Sequence, residues 1–553
     1  MTDFNFLKAY LNFVNETPEE IIFHRFENKK INTYTWGHLH EEVCKIAAYI
    51  ESLKLPQKSN IGIFSSNHPE WIITDLAIML AGHVSVPIYP LIGKAALRDI
   101  LADAELKLLF LGTTLHENII DKFAQNLPVV HFSHYQGGIG TSFHDILKAD
   151  LSFSASYHPQ PNDLLTIIYT SGTTNKSKGV MHSLASMSGL GKDLLNGPVS
   201  PTKKDRLFAY GTFAHISERI GIELSCFYTG CSVYFAESRE TILADLVQTK
   251  PTILFGNPMF WQRLKAGILS KCPQNIINEK LKNEGESFQK SLRQLLGLDC
   301  ARHVYVGASA IEPKILQWFH DYLGLSIKQV YGSTEGLGIC SINYAASTDF
   351  GCVGEPLSGI DISIGENDEI LYKSPSLTIG YYQNPQATSE IFTADGFFKS
   401  GDSGYIKNGQ LFIKGRIQEN FKTARSNMVF PNRIECMLTA NGLLENVCVL
   451  GEGRMQPFAV ATLATNWQDK FGNLELVEEL KDCVAQVNSQ LQEREHIDRL
   501  FVTDFEWNQD NGFLTSTMKI ARRNIAKYFQ KVEVSEQLQI EWKQKHQIFP
   551  VAT

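Results

Sequence analysis

Residues 164–179 read LLTIIYTSGTTNKSKG. Leu164 to Thr170 is an apolar, β-branched run of strand length that ends at a loop rich in hydroxyls. Between Thr170 and Lys178 the loop carries five Ser/Thr hydroxyls (Thr170, Ser171, Thr173, Thr174, Ser177), one glycine (Gly172) and two lysines. Backbone N–H groups, hydroxyl donors and positive charge on one turn are what a polyphosphate needs. The loop is not a Walker A sequence, because the fifth residue after Gly172 is Ser177 and not glycine. That disfavours a P-loop kinase or ATPase. Alone, such a run is more often a polar surface turn, so its meaning rests on its surroundings.

Further strand-like runs lie at 232–236, 252–255 and 303–306, separated by helical patterns at 240–248 and 258–268. Alternation of this kind predicts parallel βαβ units and a sheet covered on both faces. Residues 263–297 read as a charged, solvated helical excursion. From Gly351 to Lys414 short runs are punctuated by Gly, Pro, Asp and Asn, the texture of antiparallel β structure. Beyond lies a smaller α+β region with strands at 446–450 and 458–463 and a helix over 476–491. The fold class expected is α/β: a large N-terminal domain of parallel sheets with a small β subdomain, then a smaller α+β C-terminal domain. The change of texture falls at 414–418, giving domains 1–415 and 416–553.

A chain of 553 residues is long enough for two to four domains and an enclosed cavity. With 51 Lys+Arg against 59 Asp+Glu the net charge is -8, which speaks against a nucleic-acid binder and a polybasic membrane anchor. The most apolar stretch, 71–91, is interrupted by Asp75, His83, Pro87 and Pro90, so no transmembrane helix is expected. The N-terminus lacks the pattern of a secretory signal. Ten scattered cysteines without a C-x-x-C pair read as buried, reduced thiols of a cytoplasmic protein.

The loop is one motif of several. Gly307-Ala-Ser-Ala310 follows a strand, and Tyr331-Gly-Ser-Thr-Glu335 follows the apolar run 325–330. Ala214-His-Ile-Ser-Glu-Arg219, Ser400-Gly-Asp402, Gly415-Arg416, Phe421-Lys-Thr423 and Asn511-Gly-Phe-Leu-Thr-Ser-Thr-Met-Lys519 come in that order. This order and spacing resembles the adenylate-forming superfamily, and within it the long-chain fatty acyl-CoA synthetases, over nearly the whole chain.

The resemblance implies a ligase that joins a fatty acid carboxylate to AMP from ATP, releases pyrophosphate, and passes the acyl group to CoA. Mg²⁺ is the implied cofactor. Thr170, Ser171, Gly172, Thr173, Thr174 and Lys178 would hold the β- and γ-phosphates. Glu335 and Thr170 would ligate the metal, and Thr334 would touch the α-phosphate. Gly307, Ala308, Tyr331, Gly332 and Ser333 would hold the adenine, with Tyr331 stacked on the base. Asp402 would bind the ribose, and Arg416 would reach the ribose or phosphate. Lys519 would bridge carboxylate and α-phosphate, although beside Ile520-Ala-Arg-Arg523 it also reads as one more charge on a basic helix. His215 would stand between the acyl carboxylate and the thiol entry path, with Glu218 and Arg219 pairing with each other. Gln418 marks a hinge about which the C-terminal domain rotates, and Lys422 matches a lysine of the thioester-forming arrangement.

Several positions depart from the family pattern. Asn175 and Ser177 stand where Gly and Pro are usual, Gly211-Thr212 replaces Leu-Pro, Ser426 replaces Gly, Ser516 replaces Pro, and Gln418 replaces Asp or Lys. None removes a charged group of the site. Two alternatives stand beside the CoA ligase: an acyl-AMP ligase delivering to a carrier-protein phosphopantetheine or an amine, and a degenerate protein that binds nucleotide or fatty acid without turnover. Peripheral membrane association would need an apolar patch at the mouth of the acyl tunnel, and no segment declares one. Acyl chain length and oligomeric state are not written in these motifs.

Overall fold

The computed structural model describes residues 5–543 except 29, 115–126, 136, 138–139, 155–156, 171–176, 192–196, 198–199, 345–348, 465–472, 504, 516 and 530–538. The run that opened the reading is strand Leu164–Thr170, paired antiparallel with Lys178–Ser183, so the hydroxyl-rich loop closes a hairpin. This hairpin lies in an eight-stranded sheet ordered 380–381, 178–183, 164–170, 84–88, 60–64, 108–111, 129–131, 141–142. A nine-stranded sheet runs 355–356, 341–342, 327–331, 303–306, 253–256, 206–209, 232–235, 21–27, 30–35. The strands read at 232–236, 252–255 and 303–306 are its central parallel members.

Between the sheets lies helix Pro69–Leu80, buried from Pro69 to Met79. A helix apolar on every face is stable only where every face is covered. Its entry is set by His68 at the N-cap and Pro69 in the first turn. One continuous core joins residues of both sheets, among them Ile61, Leu165, Leu207 and Val233.

Arg219 sits in that core with no exposed surface. It does not pair with Glu218, contrary to the expectation from the motif. Its guanidinium bonds Asp75 of the central helix, Glu223 at 3.0 Å and the Thr166 hydroxyl at 2.9 Å. Asp75 also accepts from the Ser85 hydroxyl. Residues Arg219–Leu224 form a π-type widening within the helical stretch 216–229, and this turns Arg219 inward while Glu218 turns toward Gly211. Burial pushes the Glu223 carboxyl up to about 8, helped by Asp75 and opposed by Arg219.

The antiparallel texture of 351–414 corresponds to a four-stranded sheet of 361–364, 369–373, 398–407 and 410–416. A separate four-stranded sheet, 444–450, 458–463, 499–503 and 539–543, packs on helices Pro431–Thr439 and Asn473–Asn488 around its own core. The excursion over 263–297 is three successive helices, 258–271, 274–284 and 286–295. The cysteines are free, but Cys300 is exposed and Cys44, Cys272 and Cys436 are half-buried, so the expectation of uniform burial fails there. No described helix is long and apolar enough to cross a membrane.

A carboxyl raised from 4.5 to about 8 by burial holds its proton more tightly folded than unfolded. Its penalty is absent below the unfolded value, grows through that window and is complete above about pH 8. Glu223→Gln should therefore melt with wild type near pH 5. At about pH 8.5 it should melt higher, by about 1 °C per kcal/mol released from a domain of this size. Thermal unfolding at both pH values checks this, and equal melting temperatures at the higher pH would refute it.

Candidate active site

The carboxyl ends of parallel strands from both sheets open on one cavity of about 1000 Å³. Clefts at that end of open α/β sheets are where ligands bind. Thr170 and Lys178 stand at the mouth of the hairpin and line it. Ser171, Gly172, Thr173 and Thr174 lie outside the described residues, as do Asn175 and Ser516. The Lys178 ammonium lies 4.8 Å from the centre of the Tyr381 ring.

Strands 303–306 and 327–331 end beside each other and deliver Gly307, Ala308, Gly332, Ser333, Thr334 and Glu335 to the wall. A Cβ on Gly307 would stand 2.9 Å from the Val330 carbonyl, and one on Gly332 would stand 2.4 Å from that of Gly338. Only glycine permits that approach. Three side chains that the sequence reading missed fix this segment. His182 donates to the Thr334 carbonyl at 2.8 Å, Tyr372 meets the Ser333 hydroxyl at 2.9 Å, and Tyr381 donates to Glu335 at 2.8 Å. Burial lowers the His182 imidazole to about 4, so it serves as a neutral donor. No sequence signal marks these three as partners of the motif.

Tyr331 and Asp402 stand behind the wall rather than on it. Tyr331 is packed in the core, and its hydroxyl donates to Asp402 at 2.7 Å. Its ring is not among the groups lining the cavity, where stacking on the base would need it. Burial raises the Asp402 carboxyl, against the pull of Arg416, whose Nε lies 2.9 Å away. Arg416 also donates to the Ser400 carbonyl at 3.2 Å and lines the cavity.

Lys519 enters from the C-terminal sheet's side and lines the same cavity. Its loop is closed by Thr515, whose hydroxyl accepts the Lys519 amide at 3.1 Å and whose own amide bonds the Lys519 carbonyl at 2.8 Å. Three residues on, Arg522 is anchored to Glu435 at 2.9 Å and to the Val449 carbonyl at 2.7 Å. Arg522 is thus a structural anchor, and it borders the cavity together with Lys519. Burial and then Arg416 lower the Lys519 ammonium, while Asp402, Glu419 and Glu335 oppose this. The loop before it touches the large domain: the Lys94 amide donates to Asp510 at 3.2 Å, and a Cβ on Gly93 would stand 2.9 Å from the Gln509 carbonyl.

His215 caps the helix start at 216, its Nδ1 accepting from the Ser217 amide at 3.1 Å. The neutral ring then carries its proton on Nε2. Burial, followed by Lys519, lowers it to about 4. Glu218 accepts from the Gly211 amide at 3.0 Å, and a Cβ on Gly211 would meet that carboxylate at 2.0 Å. The unusual glycine thus makes room for Glu218, which burial pushes up to about 7. Beyond His215 the wall is apolar: Ile220, Ile222, Ile253, Phe255, Ile339 and Ile342. Gly221 lines it too, with no atom within 4 Å of a Cβ built there.

Gln418 lies in the turn after strand 410–416 and borders the cavity. Lys422 does not. It is exposed on a two-stranded hairpin, 421–422 with 428–429, outside the cavity lining. The turn of that hairpin holds Ser426 at φ 60, the left-handed region natural to the glycine it replaces.

Residues 12–382 match the family model of the AMP-binding enzyme, and 423–535 match that of the AMP-binding enzyme C-terminal domain. The chain is 27% identical to a long-chain-fatty-acid–CoA ligase, FadD15, of Mycobacterium bovis, over 93% of this chain and 94% of that protein. It is also 27% identical to long-chain-fatty-acid–CoA ligase 5 of Rattus norvegicus, over 90% of this chain and 83% of that one. Among solved structures, the adenylation domain of a carboxylate reductase from Mycobacterium chelonae superposes with a TM-score of 0.82 at 17% identity, over 96% of this chain and 91% of that one. An anthranilate CoA ligase in complex with anthranoyl-AMP gives a TM-score of 0.76 at 16% identity, over 95% and 97%. The chain is an adenylate-forming ligase and belongs to the AMP-binding enzyme family through both its large and its C-terminal domain.

Proposed function

We propose that this protein is a long-chain fatty acid–CoA ligase. The observation that supports it most is the meeting of Lys519, Arg416, Glu335 and His215 on one cavity whose far wall is apolar. Both substrates are anions, and the charge that develops at the α-phosphorus needs fixed donors in a site shielded from water. Lys519 is the donor placed to bridge the carboxylate and the α-phosphate. Arg416, set by Asp402, orients the ribose. Gly307, Ala308, Gly332 and Ser333 offer a side-chain-poor face to the base, with Asp402 held ready by Tyr331. The His215 Nε2–H faces the carboxylate end of the acyl chain.

Glu335 and Thr170 are oxygen donors on the same wall, a set that suits a hard cation, and Mg²⁺ bound there would supply charge neutralisation between the phosphates. The apolar wall along Ile220 and Ile222 would take the alkyl tail. The acyl-AMP would then meet the CoA thiol after the C-terminal domain turns about Gln418, which removes Lys519 and brings Lys422 inward. Domains 1–415 and 416–553 are the bodies that move.

Two variants test this reading. Lys519→Ala should cut ATP–pyrophosphate exchange with long-chain acids by about 10²–10³-fold, the loss typical of one transition-state donor. It should leave thioester formation from supplied acyl-AMP and CoA nearly intact. Equal exchange in variant and wild type would remove Lys519 from the chemistry. Gly221→Phe should move the preferred acid to shorter chains while the KM for ATP holds. An unchanged chain-length profile would place the tail elsewhere.

A further inference from the structure

Away from this cavity, three parallel strands of the eight-stranded sheet, 60–64, 108–111 and 129–131, end side by side. After strand 60–64 the chain leaves through helix 69–80 toward strand 84–88 on one side, and after strand 108–111 it continues to strand 129–131 on the other. The point between 60–64 and 108–111 is thus a topological switch point, a crevice where α/β sheets hold ligands. His68 and Glu70, at the start of helix 69–80, and His134, just after strand 129–131, meet there. None of the three lines the large cavity.

The Glu70 Oε2 lies 3.4 Å from the His68 Nδ1 and 3.5 Å from the His134 Nδ1. The candidate ligand atoms of the three residues all fall within 4.8 Å of one another. Their protons are placed by their other partners. The Ser65 hydroxyl lies 2.9 Å from the Ser66 carbonyl and 3.2 Å from His134 Nε2; with the shorter bond taking its proton, its oxygen receives the proton of Nε2. His134 Nδ1 is then a bare lone pair, and it is buried without a hydrogen-bond partner. His68 Nδ1 accepts the Glu70 amide at 3.3 Å, the N-cap bond of helix 69–80, and would exchange that bond for a metal. The Glu70 carboxylate and the His134 Nδ1 thus face each other as two acceptors, an arrangement that a shared cation would relieve.

We propose that His68, Glu70 and His134 form a binding site for a borderline transition-metal dication, of which Zn²⁺ fits best. Ligand atoms about 2.0–2.1 Å from a tetrahedral Zn²⁺ stand about 3.4 Å apart, the separation found on both sides of Glu70. Two imidazoles and one carboxylate leave a fourth position for water or another ligand. The outer partners that zinc ligands ordinarily have are present: Ser65 on His134, and the Ser133 amide on Glu70 at 3.1 Å. Two imidazole nitrogens beside one carboxylate favour a metal that bonds nitrogen over Mg²⁺ or Ca²⁺. Bound metal would tie the start of the central helix to the end of strand 129–131.

The test is metal binding by the whole chain after chelator treatment, without nucleotide. Calorimetry with Zn²⁺ should give a single high-affinity equivalent in wild type. Co²⁺ should give the intense visible bands of a tetrahedral site, and Zn²⁺ should raise the melting temperature. His134→Ala should lose all three responses and keep wild-type pyrophosphate exchange. Glu70→Gln, which still accepts the Ser133 amide, should weaken Zn²⁺ binding at least about tenfold and serves if the first variant does not fold. No high-affinity equivalent in wild type, or the same equivalent in both variants, overturns the site. The readout is binding, so it stands or falls independently of the reaction assigned to the large cavity.

Discussion

A single guanidinium, that of Arg219, holds the two halves of the large domain in register. It is fully buried among Asp75 of the central helix, Glu223 of its own helix and Thr166 of strand 164–170. A buried charge left unpaired costs several kcal/mol, so each partner is constrained by the others. Two carboxylates against one cation leave an excess of negative charge, and the raised Glu223 carboxyl relieves it by keeping a proton. The widened turn that points Arg219 inward also presents Ile220, Gly221 and Ile222 to the cavity. The polar knot and the apolar wall are consecutive residues of one distorted helix.

The wall of the cavity shows a second kind of constraint. Its charged groups are held from behind: Arg416 by Asp402, Asp402 by Tyr331, Glu335 by Tyr381, and the Thr334 backbone by His182. Preorganised groups need no rearrangement when charge develops in front of them. Burial and then Arg416 lower the Lys519 ammonium, and His215 is kept neutral by burial and by Lys519.

The fold was readable wherever chain chemistry is local. Leu164–Thr170 announces a strand by its β-branched run, and the helical excursion over 258–295 announces itself by its charge pattern. The cavity-facing residues were readable because they cluster in glycine-bearing turns after strands, where backbone and ligand approach. The residues behind them were not. His182, Tyr372 and Tyr381 each act through one hydrogen bond to a motif 39 to 152 residues away in sequence, and only the tertiary fold creates that proximity. Arg219 was visible as part of a motif, but its partner was misread, because adjacent residues on a helix do not face each other. Lys422 shows the remaining gap: its motif is visible in sequence, whereas its exposed place on a hairpin outside the cavity lining is a tertiary fact.

Several contacts join the C-terminal domain to the large one, the Arg263–Glu445 ion pair among them, and one is unusually close. The Gln509 carbonyl lies against Gly93 at a distance no side chain would tolerate, and Asp510 accepts the first amide of helix 94–103. The absent side chain therefore lets the loop before Lys519 lie directly on the start of helix 94–103. A methyl group at position 93 would push back the Gln509 backbone, and both residues border the cavity that Lys519 lines. Where that lysine stands is thus set in part by one hydrogen atom on the facing loop.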